Sequence, residues 1–203
     1  WRGENTDVEG FLSPLKNKNK DWEGLQAVVL GCGGSARAII SALSTLKLKK
    51  ITVIGRRQQS LNECLKALRN KSKNENECSQ QIPLEGFLQN NECIEQKLAK
   101  ADLVVNTTPI GMQLMQNSSP NNNEIPLGKA IWKNLKSNTT IYDLIYTPRP
   151  TAWLSWGEAH GMHCINGLEM LIQQGAASLK IWTGYDEIPI QIMQKAAIKA
   201  LKR

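Results

Sequence analysis

Apolar positions along the chain fall into short continuous runs that alternate with helical stripes. Ala27-Val28-Val29-Leu30 is apolar at every position and ends in glycines, the pattern of a strand buried on both faces. Residues 35–46 carry Ile39, Ile40, Leu43 and Leu46 on one stripe and predict a helix. Ile51-Thr52-Val53-Ile54 predicts a second strand, and Leu61, Leu65 and Leu68 recur through a second helix from Gln59 to Arg69. Residues 70–81 are polar and predict a loop or mobile insertion. Further on, Leu103-Val104-Val105 predicts a third strand, Asn117–Asn123 a polar loop, and Thr140–Leu144 a fourth strand. Thr151–His160 reads as a helix and His163-Cys164-Ile165 as a short strand. A long helix follows, with Leu168, Leu171, Ile172, Gly175, Leu179 and Trp182 as its stripe, and Pro189 opens a last helix. Strands alternating with helices predict an α/β protein, a doubly wound parallel sheet with flanking helices. There is no internal repeat.

Composition narrows the class. At 203 residues, 41% hydrophobic and 21% charged, the chain can bury one large core, or one domain and part of another. No apolar run approaches the ~20 residues of a membrane helix, and the polar start carries no signal peptide. Trp1 in place of Met, with the first strand only near residue 27, predicts a chain whose upstream sequence is missing. The net charge of +7 comes from scattered lysines, with no basic run interleaved with aromatics, so a solvated surface accounts for it better than a nucleic-acid patch. Cys32, Cys64, Cys78, Cys93 and Cys164 are odd in number and contain no C-x-x-C, which predicts reduced thiols and a cytoplasmic location. His160, His163 and Cys164 would leave a zinc ion without a fourth ligand.

The chemistry concentrates after the first strand. Gly31-Cys32-Gly33-Gly34-Ser35-Ala36 fits G-x-G-x-x-G/A between a predicted strand and a predicted helix. Gly31 permits a tight turn, Gly33 lets backbone N–H groups approach a pyrophosphate, and Ala36 lets the helix pack on the strand. The helix N-terminus then favours the anion. The second strand ends in Gly55-Arg56-Arg57. A site selecting NAD places an acid there for the ribose 2′-hydroxyl. Two guanidiniums suit the 2′-phosphate of NADP.

Five segments resemble the shikimate dehydrogenases in family order. Gly3-Glu4-Asn5-Thr6-Asp7 with Gly10-Phe11 is similar to their GxNTD…GF segment. Gly31 to Ala38 is similar to their GxGGxxRA turn, and Asn106-Thr107-Thr108-Pro109-Ile110-Gly111-Met112 to their NTTPxGM loop. Tyr142-Asp143-Leu144-Ile145-Tyr146-Thr147-Pro148 with Thr151 resembles YDxxYxP…T. Asn166 to Ala176 with Trp182-Thr183-Gly184 resembles the closing NGxxMLxxQGA…WTG. The resemblance implies a Rossmann fold and reversible oxidation of shikimate to 3-dehydroshikimate by NADP, in aromatic amino acid biosynthesis. It implies Asp7 as the carboxylate of a catalytic Lys–Asp pair, with Gln174 and Tyr146 on the substrate. It further implies cofactor contacts from Gly31, Cys32, Gly33, Gly34 and Ser35, from Gly55, Arg56, Arg57, Gln58, Gln59 and Ser60, from Asn106 and Thr107, and from Leu144 and Gly167 beside the nicotinamide. The family's catalytic lysine belongs to an N-terminal domain not found in this sequence. Residues 1–24 are then the end of a substrate domain with its linking helix, 25–166 the NADP-binding domain, and 167–203 C-terminal helices packing back toward the substrate domain. The expected partners are the small-molecule substrate and cofactor, with no nucleic acid or membrane, in a monomer or homodimer. Gly55 and Arg57 depart from the family's usual Asn and Thr, and Val8 from its usual Gly.

Plainer accounts stand beside these roles. Thr6 and Glu9 are spaced as a capping box, which would leave Asp7 merely favouring a helix dipole. Gln174 lies on one helix face with Gly167 and Met170, either as a substrate ligand or at the rim of a buried helix. Tyr146 either bonds substrate or caps a proline corner, and Asp143 ends a strand where it would brace a loop. Trp153 and Trp156 read as core or domain interface. A quinate-type relative and a non-catalytic NADP-binding module are the alternatives for the whole.

Overall fold

The computed structural model describes residues 3–16, 20–74, 84–113 and 124–201, with the side chains of 71–74 left aside. The predicted loop 117–123 and Cys78 lie outside the described residues. Six parallel strands, β1 (Gln26–Leu30), β2 (Lys50–Gly55), β3 (Leu84–Leu88), β4 (Leu103–Asn106), β5 (Thr140–Asp143) and β6 (His163–Ile165), form one sheet in the order β3-β2-β1-β4-β5-β6. This is the doubly wound order predicted from alternation. The direction in which strands are added to the sheet reverses between β1 and β4, the point at whose carboxyl ends a crevice opens in such sheets.

Helices α1 (Asp7–Lys16), α2 (Gly34–Leu43), α3 (Gln58–Asn74), α4 (Ile94–Ala99), α5 (Ala152–Ala159), α6 (Gly167–Thr183) and α7 (Ile190–Ala200) complete the chain. Two cores cover the two sheet faces. Phe11, Leu15, Ile39, Leu43, Val29, Val53 and Tyr142 fill one. Val28, Val104, Leu98, Ile141, Trp132 and Trp153 fill the other. Trp132 and Trp153 are both fully buried, with ring centroids 5.1 Å apart. Trp156 instead stacks on His160 at 4.3 Å, and the His160 Nδ1 lies 2.7 Å from the Trp156 carbonyl oxygen.

Several elements differ from the pattern reading. Strand β3 was not expected, because Leu84-Glu85-Gly86-Phe87-Leu88 mixes an acid and a glycine into an edge strand. Its Glu85 is neutralised in place by Lys97 Nζ at 2.8 Å, Lys50 Nζ at 3.5 Å and the Thr52 hydroxyl at 2.8 Å. These groups hold the Glu85 carboxyl below its usual range against the opposing effect of burial. Helix α3 runs to Asn74, into the stretch expected as loop. The buried face of α6 is Leu168, Met170, Ile172, Ala176 and Ala177, while Leu171 and Trp182 of the expected stripe are exposed.

Helices α1 and α6 pack antiparallel. A Cβ at Gly10 would stand 2.8 Å from both the Met170 carbonyl oxygen and the Gln174 Cβ, so only glycine allows this approach. The Thr6 hydroxyl lies 3.1 Å from that of Ser178 on α6, not in a capping box, and the Asp7 N–H is capped by Asn5 Oδ1 at 3.0 Å. Phe11 stacks on Tyr142 with centroids 4.9 Å apart. The Tyr142 hydroxyl is buried with no partner among the described residues, and burial raises its pKa. An unpaired buried hydroxyl costs roughly 1–3 kcal/mol. Tyr142→Phe is therefore expected to leave urea stability unchanged or raise it by about 1 kcal/mol. A clear loss would mean that the hydroxyl has a partner in solution.

Candidate active site

The turn after β1 has the geometry its glycines predicted. Gly31 has φ +111°, and a Cβ there would lie 2.5 Å from Thr107 Oγ1, so a side chain is excluded by conformation and by contact. Its N–H donates to the Ile54 carbonyl at 2.8 Å. Gly33 is the N-cap of α2, with no side chain bonded to the helix start. A Cβ at Gly33 or Gly34 would meet nothing within 4 Å. The start of α2 thus has no side-chain cap and open space beside its glycines, as a bound diphosphate requires. Ser35 is exposed beside them, and Ala36 is fully buried against the sheet.

Cys32 was singled out only through the motif, and the structure gives it a packing role. Its Sγ lies 2.6 Å from where a Gly55 Cβ would be, so glycine at 55 makes room for cysteine at 32. Burial pushes the Cys32 thiol up to about 11, with the neighbouring Cys64 adding to it. Cys32, Cys64, Cys93 and Cys164 form no disulfide. Arg56 and Arg57 leave the end of β2 exposed, and α3 starts at once with Gln58 and Gln59 exposed and Ser60 half-buried.

Across the crevice, the loop after β4 is braced by its own side chains. The Thr107 hydroxyl donates to the Leu30 carbonyl at 2.6 Å, joining β4 to the phosphate turn. Asn106 is fully buried. Its Oδ1 accepts from the N–H and hydroxyl of Thr108 at 3.0 and 2.7 Å, and its Nδ2 donates to Asp143 Oδ1 at 3.0 Å. The Asn106 side chain therefore serves the loop and is not open to a ligand.

Asp143 is fully buried and also accepts from the Ile145 N–H at 3.2 Å and the Thr151 hydroxyl at 2.8 Å. These bonds brace the loop, as its place at the strand end predicted. Burial pushes its carboxyl up to about 6, and the three hydrogen bonds offset only part of that. The folded protein then holds this proton where the unfolded chain, near 3.8, has lost it. The contribution to stability is complete below about pH 4 and disappears as pH rises through 6. The unfolding free energy of wild type minus Asp143→Asn is expected to fall by up to about 3 kcal/mol between pH 4 and 7. A pH-independent difference in paired urea titrations would contradict this.

Beyond Asp143, Leu144 is half-buried and Tyr146 is 42% exposed at the corner. Gly167 opens α6 with its N–H on the Ile145 carbonyl at 3.2 Å, and a Cβ there would overlap the Leu144 carbonyl. Asn166 caps this helix through Leu168 N–H at 3.0 Å. Asp7 is half-buried in the first turn of α1, one turn before Phe11, and Gln174 is half-buried opposite Gly10. Phe11 in turn stacks on Tyr142 of β5, so α1 packs against the β5 side of the sheet. Arg56 and Arg57 thus follow the carboxyl end of β2, Tyr146 follows that of β5, and Asp7 lies on α1, which packs against the helix α6 that carries Gln174. The partners of Asp143 and the Cys32–Gly55 contact had no sequence signal, since both depend on strands brought together by the sheet.

The fold and its residues have close counterparts. A family model described as the Shikimate 5'-dehydrogenase C-terminal domain matches residues 167–198. The Shikimate dehydrogenase (NADP(+)) of Prochlorococcus marinus (strain MIT 9515) is 43% identical over 201 residues, which are 99% of this chain and 65% of that protein. The crystal structure of shikimate 5-dehydrogenase from Listeria monocytogenes in complex with shikimate and NAD superposes with a TM-score of 0.80 at 25% identity, over 96% of this chain and 63% of the other. That from Thermus thermophilus in complex with NADP(H) and shikimate gives 0.75 at 29% identity, over 98% and 64%. The chain spans about 65% of the length of the curated relative. With likeness in sequence and in fold running through nearly all of its residues, the chain belongs to the shikimate dehydrogenase family.

Proposed function

We propose that the chain is the NADP(H)-binding part of an enzyme that reversibly oxidises the ring 3-hydroxyl of shikimate to the ketone of 3-dehydroshikimate. The observation that carries this reading is the glycine-lined start of α2 at the carboxyl end of β1, with no side-chain cap and open space beside Gly33 and Gly34. NADP, when bound, supplies the hydride acceptor at its nicotinamide C4. Gly31 to Ser35 hold the diphosphate through backbone N–H groups. Arg56 and Arg57, with Gln58, Gln59 and Ser60 at the start of α3, hold the ribose 2′-phosphate. Thr107 frames the crevice, and Leu144 and Gly167 wall its far end.

Asp7 accepts a hydrogen bond from the substrate hydroxyl and orients it, and Gln174 and Tyr146 supply further polar contacts to a polyhydroxylated acid. As hydride leaves the ring carbon, the hydroxyl proton passes to a base paired with Asp7. We assign that base to a lysine in the third of the relatives' length that this chain does not span. Residues 1–24 and 167–203 then belong to the junction with that part, where Trp182 is 78% and Tyr185 71% exposed. Residues 25–166 form the cofactor domain. No helix among the described residues is long and apolar enough to cross a membrane. We place the enzyme in the cytoplasm, as a monomer or homodimer.

The test compares the 203-residue chain with the protein prepared at the relatives' full length. Both should bind NADP+. The longer protein should form NADPH on addition of shikimate at least about 1,000-fold faster, the scale of a missing general base. Similar turnover by both would refute the split site. Binding without turnover in the longer protein would make this a binding module, and turnover with quinate instead would reassign the substrate.

A further inference from the structure

A single buried carboxylate ties together the segments on the β5 side of the crevice. Asp143 closes β5 and is surrounded by donors: Asn106 Nδ2 at 3.0 Å, the Ile145 N–H at 3.2 Å and the Thr151 hydroxyl at 2.8 Å. Each donor belongs to a different structural unit. Asn106 holds the loop after β4 through Thr108. Ile145 lies in the corner whose carbonyl oxygen receives the Gly167 N–H. Thr151 is the N-cap of α5 and accepts from the Leu154 N–H at 3.3 Å. Three donors suit an ionised carboxylate, which only accepts. An amide of the same shape would turn a donor toward one of them.

The direction of the dinucleotide follows from the sheet order. With the 2′-phosphate at Arg56 and Arg57 after β2 and the diphosphate at α2 after β1, the nicotinamide end extends over β4 and β5. That is where the units held by Asp143 meet. We propose that Asp143 is a positioning residue for the nicotinamide end of the cofactor, acting through Asn106, Ile145 and Thr151 without touching cofactor or substrate. Burial of a carboxylate that a plain core would exclude supports the assignment. The proposal rests on the reading that this chain binds NADP(H).

The test uses two ligands that differ only in the nicotinamide: NADPH and 2′-phospho-ADP-ribose, titrated calorimetrically at about pH 7.5, above the range in which the Asp143 carboxyl titrates. Wild type should bind both. Failure to bind 2′-phospho-ADP-ribose would refute NADP(H) binding itself, whatever Asp143 does. In Asp143→Asn, NADPH should bind about 10-fold more weakly, on the scale of one charge-assisted hydrogen bond, while 2′-phospho-ADP-ribose stays within about twofold. Thr151→Val keeps the carboxylate, removes one donor, and should weaken NADPH alone by about threefold. Thr151→Ser should bind both ligands as wild type does. If Asp143→Asn does not fold, the Thr151 pair carries the comparison. Equal losses for both ligands would make Asp143 a merely structural residue, and no loss for either would remove it from the site; each result overturns the proposal.

Discussion

Replacing Arg56 and Arg57 together by alanine is expected to weaken NADP+ binding by about 100-fold and NAD+ binding by no more than about threefold. Both side chains are exposed immediately after β2, and neither has an ion-pair partner among the described residues. The Arg57 carbonyl oxygen accepts from the Leu61 N–H at 3.1 Å, so Arg57 sits where α3 begins. A phosphate there would meet two guanidiniums and a helix N-terminus together. Each charge-assisted hydrogen bond is worth roughly 1.5–3 kcal/mol, and solvent exposure places the pair at the low end, about 3 kcal/mol in all. The loss should shrink as salt is added, because exposed charges are screened. Equal losses for NADP+ and NAD+ in parallel titrations would show that the arginines do not read the 2′-phosphate.

The second large effect is on the fold. Gly167→Ala is expected to lower the unfolding free energy by about 4 kcal/mol and the melting temperature by roughly 10 °C. A Cβ at 167 would overlap the Leu144 carbonyl and lie 3.0 Å from the Ile145 carbonyl carbon. Neither neighbour is a flexible side-chain end. The corner is held by Asp143 on one side, and α6 is anchored on the other by Gly10 and the Thr6–Ser178 hydroxyl pair. Something rigid must therefore move. Gly33→Ala is the internal control, since its Cβ meets nothing within 4 Å and its φ of −79° is ordinary. That variant should keep the melting temperature within a few degrees and lose cofactor affinity instead. A Gly167→Ala protein as stable as wild type would show that the two segments are not pressed together.

The phosphate turn was legible because its chemistry is local. Gly31, Gly33 and Ala36 act within one strand–turn–helix unit, and their spacing survives as a string of letters. The central strands were legible because burial on both faces demands consecutive apolar residues, as in Ala27–Leu30 and Leu103–Val105. Strand β3 was not, because an edge strand tolerates Glu85 and Gly86 once Lys97, Lys50 and Leu65 from other elements surround them. The face of α6 was misread for a related reason. Periodicity marks which residues share a stripe, but whether Trp182 or Ala176 is covered depends on which elements pack against α6.

From the sequence by itself came the doubly wound class, the glycine-rich turn, the arginines after β2, and the family resemblance. Each rests on residues close enough along the chain to act as a unit. Only the tertiary structure decided which distant groups meet: Gly10 with Gln174, Cys32 with Gly55, and Asp143 with Asn106 and Thr151. Their separations in sequence carry no spacing rule. They are neighbours only because parallel strands β1, β2, β4 and β5 lie side by side in one sheet, and because α1 and α6 pack antiparallel.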